Sequence, residues 1–207
     1  MDESMMDGSC AAFAEALAAK VSVPGGGGAA AYVGALGMAL GSMAANFTTG
    51  KKKYAEYEAD IQRILAEAET IRRRLLSLVD EDAAAFFPLS EAYGIPKEDP
   101  TRAERLEACT KEALAAPLEM MRQIARSVEL LEELQVKGSR MLISDVGCGA
   151  TLAAAALRAA SLNVFINTTG LADRALAEAV DAEADNLLTF ATRADAVYAQ
   201  VAAQMRG

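Results

Sequence analysis

Between Lys51 and Phe87 the chain carries no Gly or Pro, and within that run Ile61, Ile64, Leu65, Ala68, Ile71, Leu75 and Val79 recur at intervals of three and four. That period places them on one face of a long helix. Asp99-Pro100 reads as an N-cap followed by Pro at the first helical position, opening a helix that runs towards Lys137 with a kink expected at Pro117. A third uninterrupted stretch, rich in Ala and Leu, extends from Leu171 to Arg206. Turn signals fall at residues 22–28, 50–51, 94–100, 136–139 and 163–170. The best strand-like run, Asn163-Val164-Phe165-Ile166-Asn167, is too short and isolated to found a sheet. The pattern predicts an all-α fold, a multihelical bundle of about five long helices, with residues 1–207 forming a single domain.

Residues 21–50 carry no charge at all, a stretch long enough to span a bilayer. Most of it is Ala and Gly, which gain little from lipid, and the other long helices are amphipathic. Ala30, Gly34, Gly37, Gly41 and Ala45 fall along one side, where small residues let a neighbouring helix approach closely. A buried central helix, shared with other helices or with a second subunit, is therefore expected rather than a membrane span.

Composition narrows the function. A chain of 207 residues with 53% hydrophobic residues can bury a substantial core. A net charge of -9 argues against nucleic acid as a partner, because phosphate binding needs clustered cations. Cys10, Cys109 and Cys148 are widely spaced and odd in number, so neither a disulfide framework nor a zinc site is expected. They read as reduced, mostly buried thiols. The first ten residues are polar and acidic rather than basic and then apolar, which predicts a cytoplasmic protein without a signal peptide. There is no histidine. A Ser-His-Asp triad and a histidine metal site are thereby excluded, and proton transfer falls to carboxylates, Lys, Tyr, Cys or water.

Four segments could carry chemistry. Pro24-Gly25-Gly26-Gly27-Gly28 precedes a helix, where bare backbone N–H groups and the helix dipole suit a carboxylate or phosphate; a flexible packing turn is the alternative. No Gly-Lys-Ser/Thr follows and no strand precedes, so neither a Walker motif nor a dinucleotide fingerprint is present. Asp80 and Asp82 lie two residues apart, about 200° around a helix, and cannot both face one pocket. Extending the apolar stripe places Asp82 and Phe86 along it and Asp80 on its flank. A carboxylate on an apolar face has its pKa raised by desolvation, as a general acid/base requires; solvated or capping acids are the alternative. Lys51, Lys52 and Lys53 form the densest cationic cluster. Ser144 and Asp145 precede an Ala-rich run, and Asn163 and Asn167 bracket a break after it; each also fits an ordinary helix cap or stop.

Taken in order, residues 24–41, 49–54, 78–86, 95–97, 144–149 and 163–167 resemble the cyclodeaminase/cyclohydrolase family of folate one-carbon enzymes. That family comprises the C-terminal half of formiminotransferase-cyclodeaminase and the stand-alone methenyltetrahydrofolate cyclohydrolases. The resemblance implies an all-helical homodimer acting on a tetrahydrofolate derivative, with no prosthetic group and no metal. Its catalytic aspartate maps onto Asp80 or Asp82. The Gly turn with Lys51, Lys52 and Lys53 would hold the anionic folate tail, and Ser144, Asp145, Asn163 and Asn167 the polar edge of the pterin. The implied reactions are cyclodeamination of 5-formiminotetrahydrofolate and hydrolysis of 5,10-methenyltetrahydrofolate to 10-formyltetrahydrofolate. The competing expectation is a catalytically silent folate-binding or helical interaction protein. One position departs from the family turn, which usually reads Pro-Gly-Gly-Gly-Ser: residue 28 is Gly here.

Overall fold

A computed structural model describes residues 4–207; residues 1–3 of the expected 1–207 domain lie outside the described part. A short helix, α1 (Cys10–Ala18), is followed by five long ones: α2 (Gly26–Asn46), α3 (Glu58–Tyr93), α4 (Arg102–Lys137), α5 (Ile143–Gly170) and α6 (Arg174–Arg206). Two 3-10 segments, Lys52–Tyr57 and Arg140–Leu142, lead into α3 and α5. Among the described residues there is no strand.

Helices α2 and α5 form the centre, α2 packing on α3 and α5, and α5 on α2, α4 and α6. Glycine makes their approach possible. A Cβ on Gly149 would lie 2.8 Å from the Gly37 carbonyl oxygen, and one on Gly37 would lie 3.0 Å from that of Gly149. Gly26 at the start of α2 faces Asn163 near the end of α5, so the two helices run antiparallel. Both are long and apolar enough to cross a membrane, yet 56% and 50% of the relevant windows are buried within the bundle.

The stripe expected on α3 is the one that is buried: Ile61, Ile64, Ala68, Ile71, Leu75 and Val79 face the core, with Leu65 at its edge. They meet Met120, Met121, Ile124, Leu131 and Leu134 of α4. Burial of these aliphatic side chains, about 1.5 to 3 kcal/mol each, is the main stabilising term.

Three boundaries differ from expectation. Helix α3 runs through Pro88 to Tyr93. Pro88 removes one N–H, but the Ala84 carbonyl it strands lies on an exposed turn where water can reach it. Leu89 and Ala92 beyond it pack against Cys109 and Ala113, which holds the extra turn in place. Helix α4 begins at Arg102 instead of Pro100, and Asp99 accepts hydrogen bonds from the Thr101 N–H (2.8 Å) and hydroxyl (2.7 Å) in the preceding turn. Residues 163–167, expected to break the chain, are interior to α5. Of the thiols only Cys109 is buried; Cys10 and Cys148 are exposed.

Candidate active site

A cleft of about 190 Å³ opens where the start of α2 meets the middle of α3 and the end of α5. Gly25, Gly26, Gly27, Asp82, Phe86, Asn163 and Asn167 line it, with Ala113 and Pro117 of α4. Gly25 is the N-cap and offers no side chain, and the first backbone bond of the helix is Ala29 N–H to Gly25 C=O. The N–H groups of the first turn therefore have no helical acceptor, and that of Gly28 donates to the Asp82 carboxylate.

Asp82 sits against this turn. A Cβ on Gly27 would lie 2.5 Å and 2.6 Å from its two carboxylate oxygens, so a side chain there would push the carboxylate out of its place. Burial of the carboxyl raises its pKa from 3.8 to about 6, against the smaller opposing pull of the Gly28 N–H. Val79, one turn earlier on the stripe, touches the same α2 start: a Cβ on Gly28 would lie 3.4 Å from Val79 Cγ1 and 3.6 Å from Pro24 Cβ. Pro24 is buried behind the turn and does not line the cleft.

The three consecutive acids point three ways. Asp80 accepts from the Ser4 hydroxyl (2.6 Å) and the Met5 N–H (2.9 Å), tying the N-terminal segment to α3. Glu81 pairs with Arg74 on the surface. Asp82 alone faces the cleft.

On the opposite wall, Asn163 donates its amide N–H to the Ala159 carbonyl (2.9 Å), and Asn167 donates to those of Asn163 (3.0 Å) and Ala113 (3.4 Å). Ala113 is the residue whose helical partner would have been the missing N–H of Pro117. Asn167 thus reaches from α5 to a carbonyl that Pro117 leaves open on α4.

The other sequence candidates lie elsewhere in the protomer. Helix α2 has 21 residues, about 31 Å of length, between the Gly turn and the lysines. Lys51 lies 3.5 Å from the Ser139 hydroxyl, and Lys52 and Lys53 are exposed. Nearby, the Tyr54 hydroxyl accepts from the Arg140 N–H (3.0 Å), which lowers its pKa. Ser144 and Asp145 occupy the first turn of α5 at this same far end, and neither caps the helix. Ser144 borders a larger groove of about 740 Å³ between α5 and α6 with Cys148, Tyr198 and Met205. That groove is open and mostly apolar, with Arg206 at its edge, and no acidic residue lines it.

The structure therefore unites Gly25, Gly26, Gly27, Asp82, Asn163 and Asn167, and separates them from Lys51, Lys52, Lys53, Ser144 and Asp145. Phe86 was legible on the α3 stripe. Ser22, Val23, Ala113, Pro117 and Ile166 also line the cleft, and no local motif marks them.

These features define a class: an all-helical protein with a desolvated carboxylate held against a glycine turn. The sequence matches the formiminotransferase-cyclodeaminase family profile over residues 9–186. It is 43% identical over 183 residues to the methenyltetrahydrofolate cyclohydrolase of Methylorubrum extorquens, covering 86% of this chain and 88% of that protein. It is 30% identical over 191 residues to mouse formimidoyltransferase-cyclodeaminase, covering 90% of this chain but 35% of the mouse protein. The fold matches the crystal structure of formiminotetrahydrofolate cyclodeaminase from Thermotoga maritima with a TM-score of 0.84 and 28% identity, over 95% of this chain and 98% of the other. The chain belongs to the formiminotransferase-cyclodeaminase family.

Proposed function

We propose that this protein is a folate one-carbon enzyme that hydrolyses 5,10-methenyltetrahydrofolate to 10-formyltetrahydrofolate, with Asp82 as the proton-transfer group. The observation that carries the reading is the desolvated Asp82 carboxylate, with its pKa near 6, packed against the N–H groups of the Gly turn. The near full-length likeness to a cyclohydrolase favours this reaction over cyclodeamination.

Water adds to the methenyl carbon, and the Asp82 carboxylate takes one of its protons. The bond from that carbon to N5 then breaks as the hydroxyl loses its proton and becomes the formyl oxygen. Asp82 returns its proton to N5, and one proton is released to solvent because the methenyl substrate is a cation. The same carboxylate serves cyclodeamination: N10 attacks the formimino carbon, and the leaving nitrogen departs as ammonia after protonation. The fold likeness to a cyclodeaminase supports that second reaction. Following the methenyl absorption band with both substrates in parallel separates them. Turnover of neither refutes the reading and leaves a silent binding protein.

The cationic residues enter through a cytoplasmic homodimer. No cationic side chain lines the cleft. The outward stripes of α2 and α5 are apolar, with Leu36 42%, Leu162 68% and Ile166 71% exposed. A two-fold axis across α2 near its midpoint would bury these stripes against each other and run the two α2 helices antiparallel. It would bring Lys51, Lys52 and Lys53 of the partner subunit towards the Gly turn, where they suit the carboxylates of the folate tail. Mixing the Asp82→Asn protein with a triple Lys→Gln protein then restores activity that neither has alone. A monomer in solution, or no restoration on mixing, contradicts this arrangement.

A further inference from the structure

Helices α2 to α6 hold one another through buried stripes, and α1 takes little part in that packing. It has nine residues, short for a helix resting on its own propensity, and Phe13 is its one buried side chain. Phe13 meets Tyr32 of α2 edge to face at 5.3 Å, and the Cys10 thiol lies 3.1 Å from the Tyr32 hydroxyl. The chain before α1 is fixed, because Asp80 of α3 accepts from Ser4 and Met5. The chain after it, residues 19–25, is irregular and runs straight into the Gly turn, with Ser22 and Val23 forming part of the cleft wall. Helix α1 is therefore slung between an anchor on α3 and the rim of the cleft.

Three features suit this segment to close. A hollow of about 300 Å³ bordered by Ser4, Met5, Ala12 and Phe13 gives α1 room to shift without displacing core side chains. All of residues 17–22 are exposed, and within them Leu17 (39%) and Val21 (57%) hold an apolar pair in solvent beside the cleft. The cleft itself is small. Its volume of about 190 Å³ falls below the roughly 300 Å³ of sites that enclose a whole drug-sized ligand. A folate must project past the Ser22–Val23 wall, where Leu17 and Val21 can cover it.

We propose that residues 10–23 form a strap that closes over the cleft once substrate has entered, with Leu17 and Val21 as its closing face and Phe13 on Tyr32 as its pivot. This rests on the folate reading above. The strap retains the substrate and moves no proton, so it acts on KM and leaves the chemical step at Asp82 unchanged.

The test measures amide exchange in the parent protein, free and in a saturating equilibrium mixture of 5,10-methenyl- and 10-formyltetrahydrofolate. Exchange in residues 10–23 is expected to slow at least about tenfold in the mixture. The second arm replaces the closing face, with Leu17→Gln and Val21→Gln combined; both positions are exposed, so the fold is not at stake. In that variant the slowing should fall to about threefold or less. Its KM for 5,10-methenyltetrahydrofolate should rise at least about threefold while kcat stays within about twofold of the parent. A parent that binds the mixture by calorimetry with exchange in residues 10–23 unchanged, or a double variant with the parent's KM, overturns the strap and leaves the folate reading intact. A double variant that loses kcat instead shows a merely structural role and also overturns it. A parent that neither binds the mixture nor turns over the methenyl substrate overturns both.

Discussion

Gly27→Ala adds one methyl group and tests the placement of Asp82. The new Cβ would sit 2.5 Å from one carboxylate oxygen and 2.6 Å from the other. Reaching 3.4 Å, where ordinary contact begins, requires a displacement of about 0.9 Å. The α3 backbone cannot supply it, because Val79 and Ala83 on either side are 1% and 4% exposed in the core. The carboxylate must rotate away from the turn instead. Misplacing a reacting group by about 1 Å costs on the order of 10²-fold in rate. Helix propensity pulls the other way, since Ala exceeds Gly by about 0.5 to 1 kcal/mol in a helix interior, so the fold should survive. Two neighbours serve as controls. A Cβ on Gly26 meets nothing closer than the Asn163 amide at 3.5 Å, and one on Gly28 lies 3.4 Å from Val79 Cγ1. Gly26→Ala and Gly28→Ser should therefore keep activity within a few-fold of the parent, and the second restores the Ser of the family turn. The assay is kcat/KM at the methenyl band, with circular dichroism confirming the fold. Gly27→Ala activity within threefold of the parent, or Gly28→Ser losing as much as Gly27→Ala, would refute the reasoning.

Two further outcomes follow from the same geometry. Asp82 has a folded pKa raised from 3.8 to about 6, so the native state holds the proton where the unfolded chain has lost it. Stability therefore falls as pH rises from about 4 to 6, by about 3 kcal/mol at most by neutral pH. Asp82→Asn should raise Tm at pH 7, with the gain vanishing below about pH 4; a variant no more stable at pH 7 contradicts the burial of the charge. Asp80→Ala removes the anchor of Ser4 and Met5, each bond worth about 1.5 to 3 kcal/mol as a charge-assisted contact. It should speed amide exchange in residues 5–18 while leaving the acid limb of the rate profile in place, and loss of that limb would reassign the proton-transfer role to Asp80.

Much of this was legible because helical period converts spacing into direction. The apolar stripe on α3 carried Asp82 and Phe86 inward and left Asp80 on the flank, and the small residues of α2 signalled the close crossing with α5 at Gly37 and Gly149. Residues 163–167 misled for a physical reason. Val164, Phe165 and Ile166 favour strands and Asn favours helix ends, yet burial of Val164 and the Asn side-chain bonds to preceding carbonyls keep α5 continuous. Pro88 likewise looked like a boundary and is not, because packing on either side outweighs one lost hydrogen bond. The division of the site was not legible at all. Order along the chain carries no distance, so nothing local told that about 31 Å of α2 separates the Gly turn from the lysines. The role of Pro117 was equally hidden, since a stranded carbonyl acquires meaning only when Asn167 from another helix reaches it.

The most direct test of the account is the pH dependence of kcat/KM for 5,10-methenyltetrahydrofolate in the parent and in Asp82→Asn. Asp82 must be ionised to take a proton from water, so the parent rate should rise with pH through a limb near 6 and then level off. Asp82→Asn should lose on the order of 10² to 10⁴ in rate and lose the limb with it. A variant that retains the limb, or that matches the parent rate at neutral pH, would contradict the assignment of Asp82 as the proton-transfer group.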